Sequence, residues 1–220
     1  MKRFAVFGLG SFGINVVRSL YKQGAEVIAI DIDEDAVQAC SDISHHAVVA
    51  DATDKSALEQ LAINEVDVAV VSLGERMDRI TLTSLHLKEL GVPYVATKAI
   101  SDNHETILKA IGVNEVIQPE KEAAIRLGTR LSLSDVIDVL PLVSDDFSVV
   151  SLHASEEITG KRIGDLESSA IQVVAIQSSD ERQPKLIPSS DEVIESDSKL
   201  IILGSNKEIN IFTKRYCSGN

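Results

Sequence analysis

The chain has no tryptophan, and aromatic residues make up only 4% of its 220 residues. Apolar residues nevertheless reach 44%, so we predict a core of aliphatic side chains. No stretch approaches the 18 apolar residues that indicate a membrane span, so we expect no spanning helix. If the protein acts at a membrane, another chain must hold it there.

Cysteine is also scarce. The two cysteines, Cys40 and Cys217, form no CxxC pair and no metal-ligand spacing. We therefore expect no disulfide framework and a reducing, cytoplasmic setting. The basic start Met1-Lys2-Arg3 precedes an apolar run that stops at Gly8 without a small-residue cleavage site, so we expect no secretory signal.

Positive charge is the third shortage. The chain has 21 Lys and Arg against 34 Asp and Glu, a formal net charge of -13. Nucleic acids and anionic membranes require clustered Lys and Arg, so we exclude nucleic acid as the main partner. An acidic protein can still bind a phosphate group locally, because backbone N–H groups at a helix N-terminus supply positive potential.

Strands and helices alternate through the first half of the chain. The β-branched, continuously apolar runs predict strands covered on both faces, with amphipathic helices between them. Gly24, Gly91 and Gly112 follow three of these helices as C-caps. The repetition predicts a Rossmann-like, doubly wound parallel sheet. The predicted strands cover residues 3–8, 26–31, 46–49, 67–72, 94–98 and 115–118, and the helices residues 12–22, 35–40, 55–61, 77–90 and 104–111.

The pattern changes after residue 118. Residues 120–133 predict a long helix, and residues 136–140 a second, short helix that Pro141 ends. From Phe147, alternating runs predict a small α+β domain with a partly antiparallel sheet and a terminal helix at residues 207–214. Such a small domain has a marginal core. We expect an exposed apolar face suited to a dimer interface, formed by Ile163, Leu166, Ile171 and Val173.

The fold class is therefore α/β: a Rossmann-like doubly wound parallel sheet, a crossover helix and a second, small α+β domain. We divide the chain into a nucleotide-binding lobe (residues 1–118), crossover helices (residues 119–140) and a C-terminal lobe (residues 141–220).

Gly8-Leu9-Gly10-Ser11-Phe12-Gly13 has the GxGxxG form and lies directly between the first strand and the first helix. Gly8 allows the tight turn, Gly10 lets the backbone approach phosphates, and Gly13 lets the helix pack against the strand. Asp31 ends the second strand, where it can accept hydrogen bonds from ribose hydroxyls. The turn predicts a bound adenine nucleotide, and the alternative is a structural turn without a ligand.

Two further positions follow predicted strands. Asp51-Ala52-Thr53 lies where an adenine would sit, and capping of the next helix is an equally good interpretation. Tyr94 and Lys98 match the YxxxK pair of short-chain dehydrogenases, but they are predicted in a strand, where i and i+4 stand about 13 Å apart. We regard that match as chance. Lys98 remains a candidate cation at the carboxyl end of a strand.

The histidines suggest no chemistry. His45 and His46 are neighbours in a strand and face opposite sides, which makes a poor metal pair. His86 and His104 are interpreted as ordinary helix residues. No Ser/His/Asp or Cys/His set stands in a nucleophile context, so we predict no catalytic residues.

The motifs together resemble the KtrA/TrkA family, the cytoplasmic RCK-domain (regulator of potassium conductance) subunits of bacterial potassium uptake systems. The resemblance covers nearly the whole chain. The stretches that carry it are residues 4–13, 27–33, 50–53, 82–91, 111–121, 159–166 and 197–204, together with Pro188.

This resemblance implies ATP or ADP in the N-terminal lobe, with NAD or NADH as the alternative. It also implies a homodimer that assembles into an octameric ring, peripheral at the inner face of the membrane, gating a separate potassium channel or transporter subunit. The helix at residues 120–133 would form the dimer, and c-di-AMP would bind between C-terminal lobes.

The family's binding residues carry over to particular positions. Glu120 would face a divalent metal cation across a dimer interface. The implied nucleotide-binding set is Gly8, Gly10, Ser11, Phe12, Gly13, Asp31, Asp33, Asp51, Ala52, Thr53, Lys98 and Glu120.

The chain departs from the family at Ser11, where many Ktr members carry Arg next to the phosphates. This departure leaves the choice between ATP or ADP and NAD(H) open. Two other functions compete with a gating subunit: an NAD-dependent oxidoreductase and a soluble nucleotide or redox sensor.

Overall fold

A computed structural model of the chain describes residues 1–132, 136–141, 147–168, 170–180 and 182–216. The chain divides into two compact units, Met1–Pro119 and Glu120–Asn220. Across the described ranges, helices are too short or too polar to pass through a bilayer.

The first unit contains a six-stranded parallel sheet in the order β3-β2-β1-β4-β5-β6. This confirms the predicted fold class, and the predicted strand and helix limits differ from the structure by at most two residues. The strands are β1 (Arg3–Phe7), β2 (Glu26–Asp31), β3 (His46–Val49), β4 (Val68–Val71), β5 (Tyr94–Lys98) and β6 (Glu115–Ile117). The helices are α1 (Ser11–Lys22), α2 (Glu34–Gln38), α3 (Lys55–Gln60), α4 (Met77–Glu89) and α5 (Asp102–Ala110), with a 3-10 turn at Ile63–Glu65.

Helices cover both faces of this sheet. Successive residues of a strand point to opposite faces, so each strand contributes to two buried clusters. Val6 of β1 packs with Val17 of α1 in one buried cluster. Its neighbour Phe7 packs with Leu58 of α3 and Leu87 of α4 in the other. Both clusters are aliphatic apart from Phe7 and a buried cysteine, as the composition predicts.

Helix ends follow the expected chemistry. The side chains of Asp33, Asp54 and Ser101 accept hydrogen bonds from the first-turn N–H groups of α2, α3 and α5, at 2.9, 2.9 and 3.2 Å. Such N-caps satisfy donors that the helix itself leaves unpaired. Gly24 and Gly91 follow α1 and α4 with φ values of 78° and 81°, a backbone region that favours glycine.

The second unit is built on an antiparallel sheet in the order β10-β9-β11-β8-β7. One face of the sheet and two flanking helices, which contribute Ile163 and Phe212, enclose a separate, mostly aliphatic core. The elements are α6 (Pro119–Ser132), β7 (Val136–Pro141), β8 (Phe147–His153), α7 (Ile163–Leu166), β9 (Ile171–Gln177), β10 (Lys185–Leu186), β11 (Lys199–Ser205) and α8 (Asn206–Tyr216).

The structure corrects three predictions for this unit. The short helix predicted at residues 136–140, part of the predicted crossover helices at 119–140, is the strand β7, which pairs antiparallel with β8. Its β-branched residues Val136 and Ile137 suit a strand better than a helix. Within the described part of this unit, the sheet pairings are all antiparallel rather than partly so.

The third correction concerns the apolar face that was predicted to be exposed. Its four residues are buried in the core of the unit, with at most 6% of any of them exposed: Ile163, Leu166, Ile171 and Val173. The helix α7 packs its apolar side onto β9, so these residues form part of the core of the unit. It is therefore unavailable for a dimer.

His104, interpreted from the sequence as an ordinary helix residue, is fully buried. Its Nδ1 accepts a hydrogen bond from the Ile100 N–H at 3.3 Å, and its Nε2 lies 3.2 Å from the Thr81 hydroxyl. Burial lowers the pKa of His104 below its usual value, because a desolvated imidazole resists protonation.

We predict that this buried imidazole makes stability depend on pH. The unfolded chain binds a proton at His104 below about pH 6.5, whereas the folded chain resists it. The stabilisation is complete above about pH 6.5 and is lost as pH falls through the lower folded-state pKa. Urea unfolding at pH 7.5 and 5.5 should show a smaller pH effect for His104→Gln than for the wild-type protein.

The exposed His153 supplies the control. His153→Gln should retain the wild-type loss of stability between these pH values. An equal loss in His104→Gln would contradict the assignment to His104.

Candidate nucleotide-binding cleft

A cleft of about 180 Å³ opens at the carboxyl ends of β1, β2 and β4 and beside the segment that follows β3. The strand order reverses between β1 and β4, and in open α/β sheets ligands bind at such a reversal. The lining residues are Gly8, Gly10, Ile30, Asp31, Ile32, Ala50, Ala52, Ser72, Leu73, Gly74, Arg76 and Arg79.

The glycine turn (residues 8–13) lies at this edge, and its three glycines meet different constraints. A Cβ at Gly8, whose φ is 89°, would stand 2.1 Å from the Ser72 carbonyl oxygen. A Cβ at Gly13 would stand 1.8 Å from the Gly8 carbonyl oxygen. A Cβ at Gly10 meets nothing within 4 Å. The fold therefore requires glycine at positions 8 and 13, whereas Gly10 leaves open space beside the cleft.

Asp31 ties the end of β2 to this turn. One carboxylate oxygen accepts a hydrogen bond from the Leu9 N–H at 2.6 Å, and the other accepts one from the Asp33 N–H at 3.0 Å. The carboxylate is half-buried and lines the cleft. Each carboxylate oxygen has two lone pairs, so these bonds leave capacity for ribose hydroxyls.

Asp51 links the segment after β3 to α4. Its Oδ1 accepts hydrogen bonds from the Thr53 N–H at 2.9 Å, the Thr53 hydroxyl at 2.7 Å and Arg79 Nη2 at 2.9 Å. These bonds, those from Thr53 first, lower the pKa of Asp51 below its usual value. Asp51 is therefore ionised at neutral pH.

The structure brings four of the sequence-predicted residues into the lining: Gly8, Gly10, Asp31 and Ala52. The others lie around or beyond it. Ser11 and Phe12 begin α1, Gly13 packs under the turn, Asp33 caps α2, and Asp51 and Thr53 bond to each other. Lys98 ends β5, two strands from β1, and Glu120 is exposed at the start of the second unit. A binding role for each stays a prediction.

Tyr94 and Lys98 stand at opposite ends of β5, as the sequence indicated. The Tyr94 hydroxyl donates a hydrogen bond to Glu115 at 2.7 Å. The helical spacing that a dehydrogenase YxxxK pair needs is therefore not formed by these two residues.

Sequence reasoning missed Arg76 and Arg79, which line the cleft from the N-terminal end of α4. It also missed the loop at residues 72–74. A signal was available, because this loop follows the strand next to β1 across the reversal of strand order, where ligands of such sheets bind.

Among the described residues, no group of three or more His, Cys, Asp or Glu side chains is arranged to hold a metal ion. A metal-binding role for Glu120 stays a prediction.

The fold and the cleft define a Rossmann-type nucleotide-binding unit. A family model described as the TrkA-N domain matches residues 4–119, more than half of the chain. The chain belongs to the TrkA-N domain family, which confirms the family resemblance found in the sequence.

Curated relatives match nearly the whole chain. Ktr system potassium uptake protein C of Bacillus subtilis (strain 168) is 39% identical over 217 residues, covering 97% of both chains. Ktr system potassium uptake protein A of the same organism is 35% identical over 214 residues, covering 96% of this chain and 95% of that protein.

Solved structures share the fold. The GsuK RCK domain matches 100% of this chain and 48% of its own, with a TM-score of 0.69 and 14% identity. The GsuK channel bound to NAD matches 99% and 40%, with a TM-score of 0.69 and 14% identity. GsuK bound to ADP matches 61% and 35%, with a TM-score of 0.54 and 17% identity. This chain spans less than half the length of those chains.

We predict that two substitutions in the glycine turn affect different properties of the protein. Gly13→Ala forces a Cβ into the Gly8 backbone, so the free energy of unfolding should fall by about 2 kcal/mol or more. Gly10→Ala should leave stability close to wild type but fill the space beside the cleft, weakening nucleotide binding. Thermal unfolding without ligand and calorimetric titration with ADP measure the two effects.

Each variant serves as the control for the other. Equal stability of both variants would contradict the backbone contact at Gly13. Wild-type ADP affinity in Gly10→Ala would show that phosphates do not approach the turn at that position.

Proposed function

We propose that this protein is the nucleotide-binding regulatory subunit of a potassium transport system. Its N-terminal unit binds ATP or ADP, with NAD or NADH as the alternative, and the bound nucleotide controls a separate membrane channel or transporter subunit. The observation that carries this proposal is the cleft at the glycine turn, in a chain that is 39% identical to a Ktr potassium uptake protein over 97% of its length.

The cleft supports an adenine nucleotide in particular. Gly10 leaves room for a phosphate group at the N-terminus of α1, where backbone N–H groups and the helix dipole favour an anion. Asp31 offers a carboxylate for ribose hydroxyls and opposes a 2′-phosphate. Ile32, Ala52 and Leu73 give the cleft apolar surface for a base.

Assembly into a homodimer and an octameric ring is part of the proposal. The helix α6 supports it, because Leu127 and Leu131, one turn apart on the same face, are 47 and 73% exposed. Large apolar side chains concentrated on a surface favour an interface. The ring would lie in the cytoplasm, peripheral at the inner face of the membrane, held there by its channel partner.

Two further ligands are proposed on the relationship to Ktr proteins. A divalent cation would bind Glu120, with the remaining ligands from nucleotide phosphates and a second copy of the chain. The dinucleotide c-di-AMP would bind between two C-terminal lobes.

We propose a regulator and not an enzyme. Within the described residues the cleft is lined by no histidine, cysteine, lysine or tyrosine, and both carboxylate oxygens of its one acid, Asp31, accept hydrogen bonds from the Leu9 and Asp33 N–H groups. The chain's function then depends on a nucleotide binding one ring state better than another. Turnover of a hydroxy acid or aldehyde with NAD would revive the oxidoreductase alternative.

We predict that ATP or ADP raises the unfolding temperature of the purified protein. A ligand at 100 times its dissociation constant stabilises the folded state by about 2.7 kcal/mol. For a chain of this size that corresponds to a shift of about 5–10 °C. Thermal unfolding with ATP, ADP, NAD and NADH, each with and without Mg²⁺, measures it.

A shift that grows with Mg²⁺ in the wild type and not in Glu120→Gln would support the proposed cation. A shift with NAD or NADH alone would assign the cleft to a dinucleotide. No shift with any nucleotide, in protein shown by mass spectrometry to carry none, would contradict nucleotide binding.

Gating itself is tested by potassium flux through a Ktr-type membrane subunit in liposomes. Addition of this protein should make the flux depend on which nucleotide is present. Flux that stays unchanged under every nucleotide would overturn the proposed function.

A further inference from the structure

Arg76 and Arg79 bring positive charge to a cleft that otherwise presents acids. The acidic groups are Asp31 in the lining and Asp51 beside it. A nucleoside diphosphate adds two to three negative charges near neutral pH. Ser11, exposed at the start of α1, contributes no charge on the glycine turn. Among the residues described as lining the cleft, the guanidinium groups of Arg76 and Arg79 are the cations.

The two arginines differ in how firmly they are held. Arg79 is 29% exposed, and its Nη2 donates to Asp51, whose oxygen is also held by Thr53. This pair joins α4 to the segment after β3. Displacing Arg79 would therefore break a link within the fold.

Arg76 is free of that constraint. It donates from Nε and Nη2 to the two oxygens of Asp78, at 3.1 and 2.9 Å. Arg76 and Asp78 are 70 and 66% exposed. Exposed ion pairs contribute little to stability, so an incoming anion can replace the carboxylate of Asp78. The same two-donor fork that binds a carboxylate also matches phosphate.

The position of Arg76 directs it to the phosphate end of the cleft. The loop at residues 72–74 touches the glycine turn, since a Cβ on Gly8 would meet both Ser72 and Leu73. Arg76 follows this loop as the N-cap residue of α4. Arg79 reaches instead towards Asp51, on the β3 side.

We propose that Arg76 binds the phosphate groups of an adenine nucleoside di- or triphosphate, and that Asp78 holds the same guanidinium when no nucleotide is bound. The inference rests on the proposed nucleotide-binding function. It assigns to α4 the cation that the glycine turn lacks at Ser11. Asp78 then acts as an internal competitor, which lowers the affinity for nucleotides.

Calorimetric titration of the full chain with ADP and with adenosine tests this assignment. Arg76→Gln should weaken ADP binding by about 10- to 100-fold, the range for a lost charged hydrogen-bond partner, and leave adenosine binding within about twofold. Asp78→Asn should have the opposite sign and strengthen ADP binding severalfold, because Arg76 no longer has a competing carboxylate. Arg18→Gln removes an equal charge from the exposed side of α1, where Arg18 bonds Asn15, and should change neither affinity.

The outcomes separate this inference from the proposed function. Wild-type protein that binds neither ADP nor ATP would overturn both. Wild-type protein that binds ADP, with an unchanged ratio of ADP to adenosine affinity in Arg76→Gln, would overturn the role of Arg76 alone. A loss in Arg18→Gln equal to that in Arg76→Gln would reduce the effect to overall charge and overturn the assignment. Unfolding midpoints without ligand should agree among the four proteins. If the midpoint of Arg76→Gln is lowered, Arg76→Lys takes its place, because it keeps the charge and loses the two-donor fork.

Discussion

The cleft depends on backbone segments that meet without side chains at the glycine turn. Any Cβ at Gly8 would overlap the Ser72 carbonyl group, and any Cβ at Gly13 would overlap the Gly8 carbonyl group. The Ser72 N–H also donates to the Phe7 carbonyl oxygen at 2.7 Å. These contacts hold the end of β1 against the end of β4 and the start of α1 against the turn. The N-terminal ends of α1 and α4 therefore open at the same edge of the sheet.

Two carboxylates extend this arrangement to β2 and to the segment after β3. Asp31 joins the end of β2 to the turn through the Leu9 N–H, and Asp51 joins the segment after β3 to α4 through Arg79. Charged hydrogen bonds of this kind are shorter and stronger than neutral ones. A nucleotide at the cleft would contact groups that already hold four strand ends together, so its binding and the geometry of this edge are linked.

The sequence predicted the first unit well because its signals are local. Apolar runs locate the strands, glycines mark helix ends, and the glycine turn lies between β1 and α1 with Asp31 one strand later. Sequence reasoning did not identify Arg76 and Arg79, because only the order of strands in the sheet brings α4 beside the glycine turn. In the second unit the same local reasoning failed at residues 136–140. Those residues form a strand because they pair with β8, whose partner residues lie 9 to 16 positions further along the chain, and such pairing overrides local helix propensity. Residue 133, the last of the predicted long helix, lies outside the described part of the chain.

The net negative charge of the protein affects how the same cleft would bind a phosphate group. A net charge of -13 opposes a phosphate ligand at long range, but salt screens such repulsion beyond about 8–10 Å. Close to the turn the charge is nearly balanced, because each cleft arginine is paired with an aspartate and Asp31 adds a single further negative charge. A phosphate group that binds Arg76 would leave Asp78 without its partner. Asp78 lies in the first turn of α4, where the helix dipole still stabilises its charge. The exchange therefore costs little. The contribution of Arg76 to the ligand's affinity is the difference between its interaction with the phosphate group and its interaction with Asp78. In the proposed ring, such a modest difference would let nucleotides exchange as their cellular concentrations change, because saturating affinity for one ligand would leave no range over which the proposed ring states could shift.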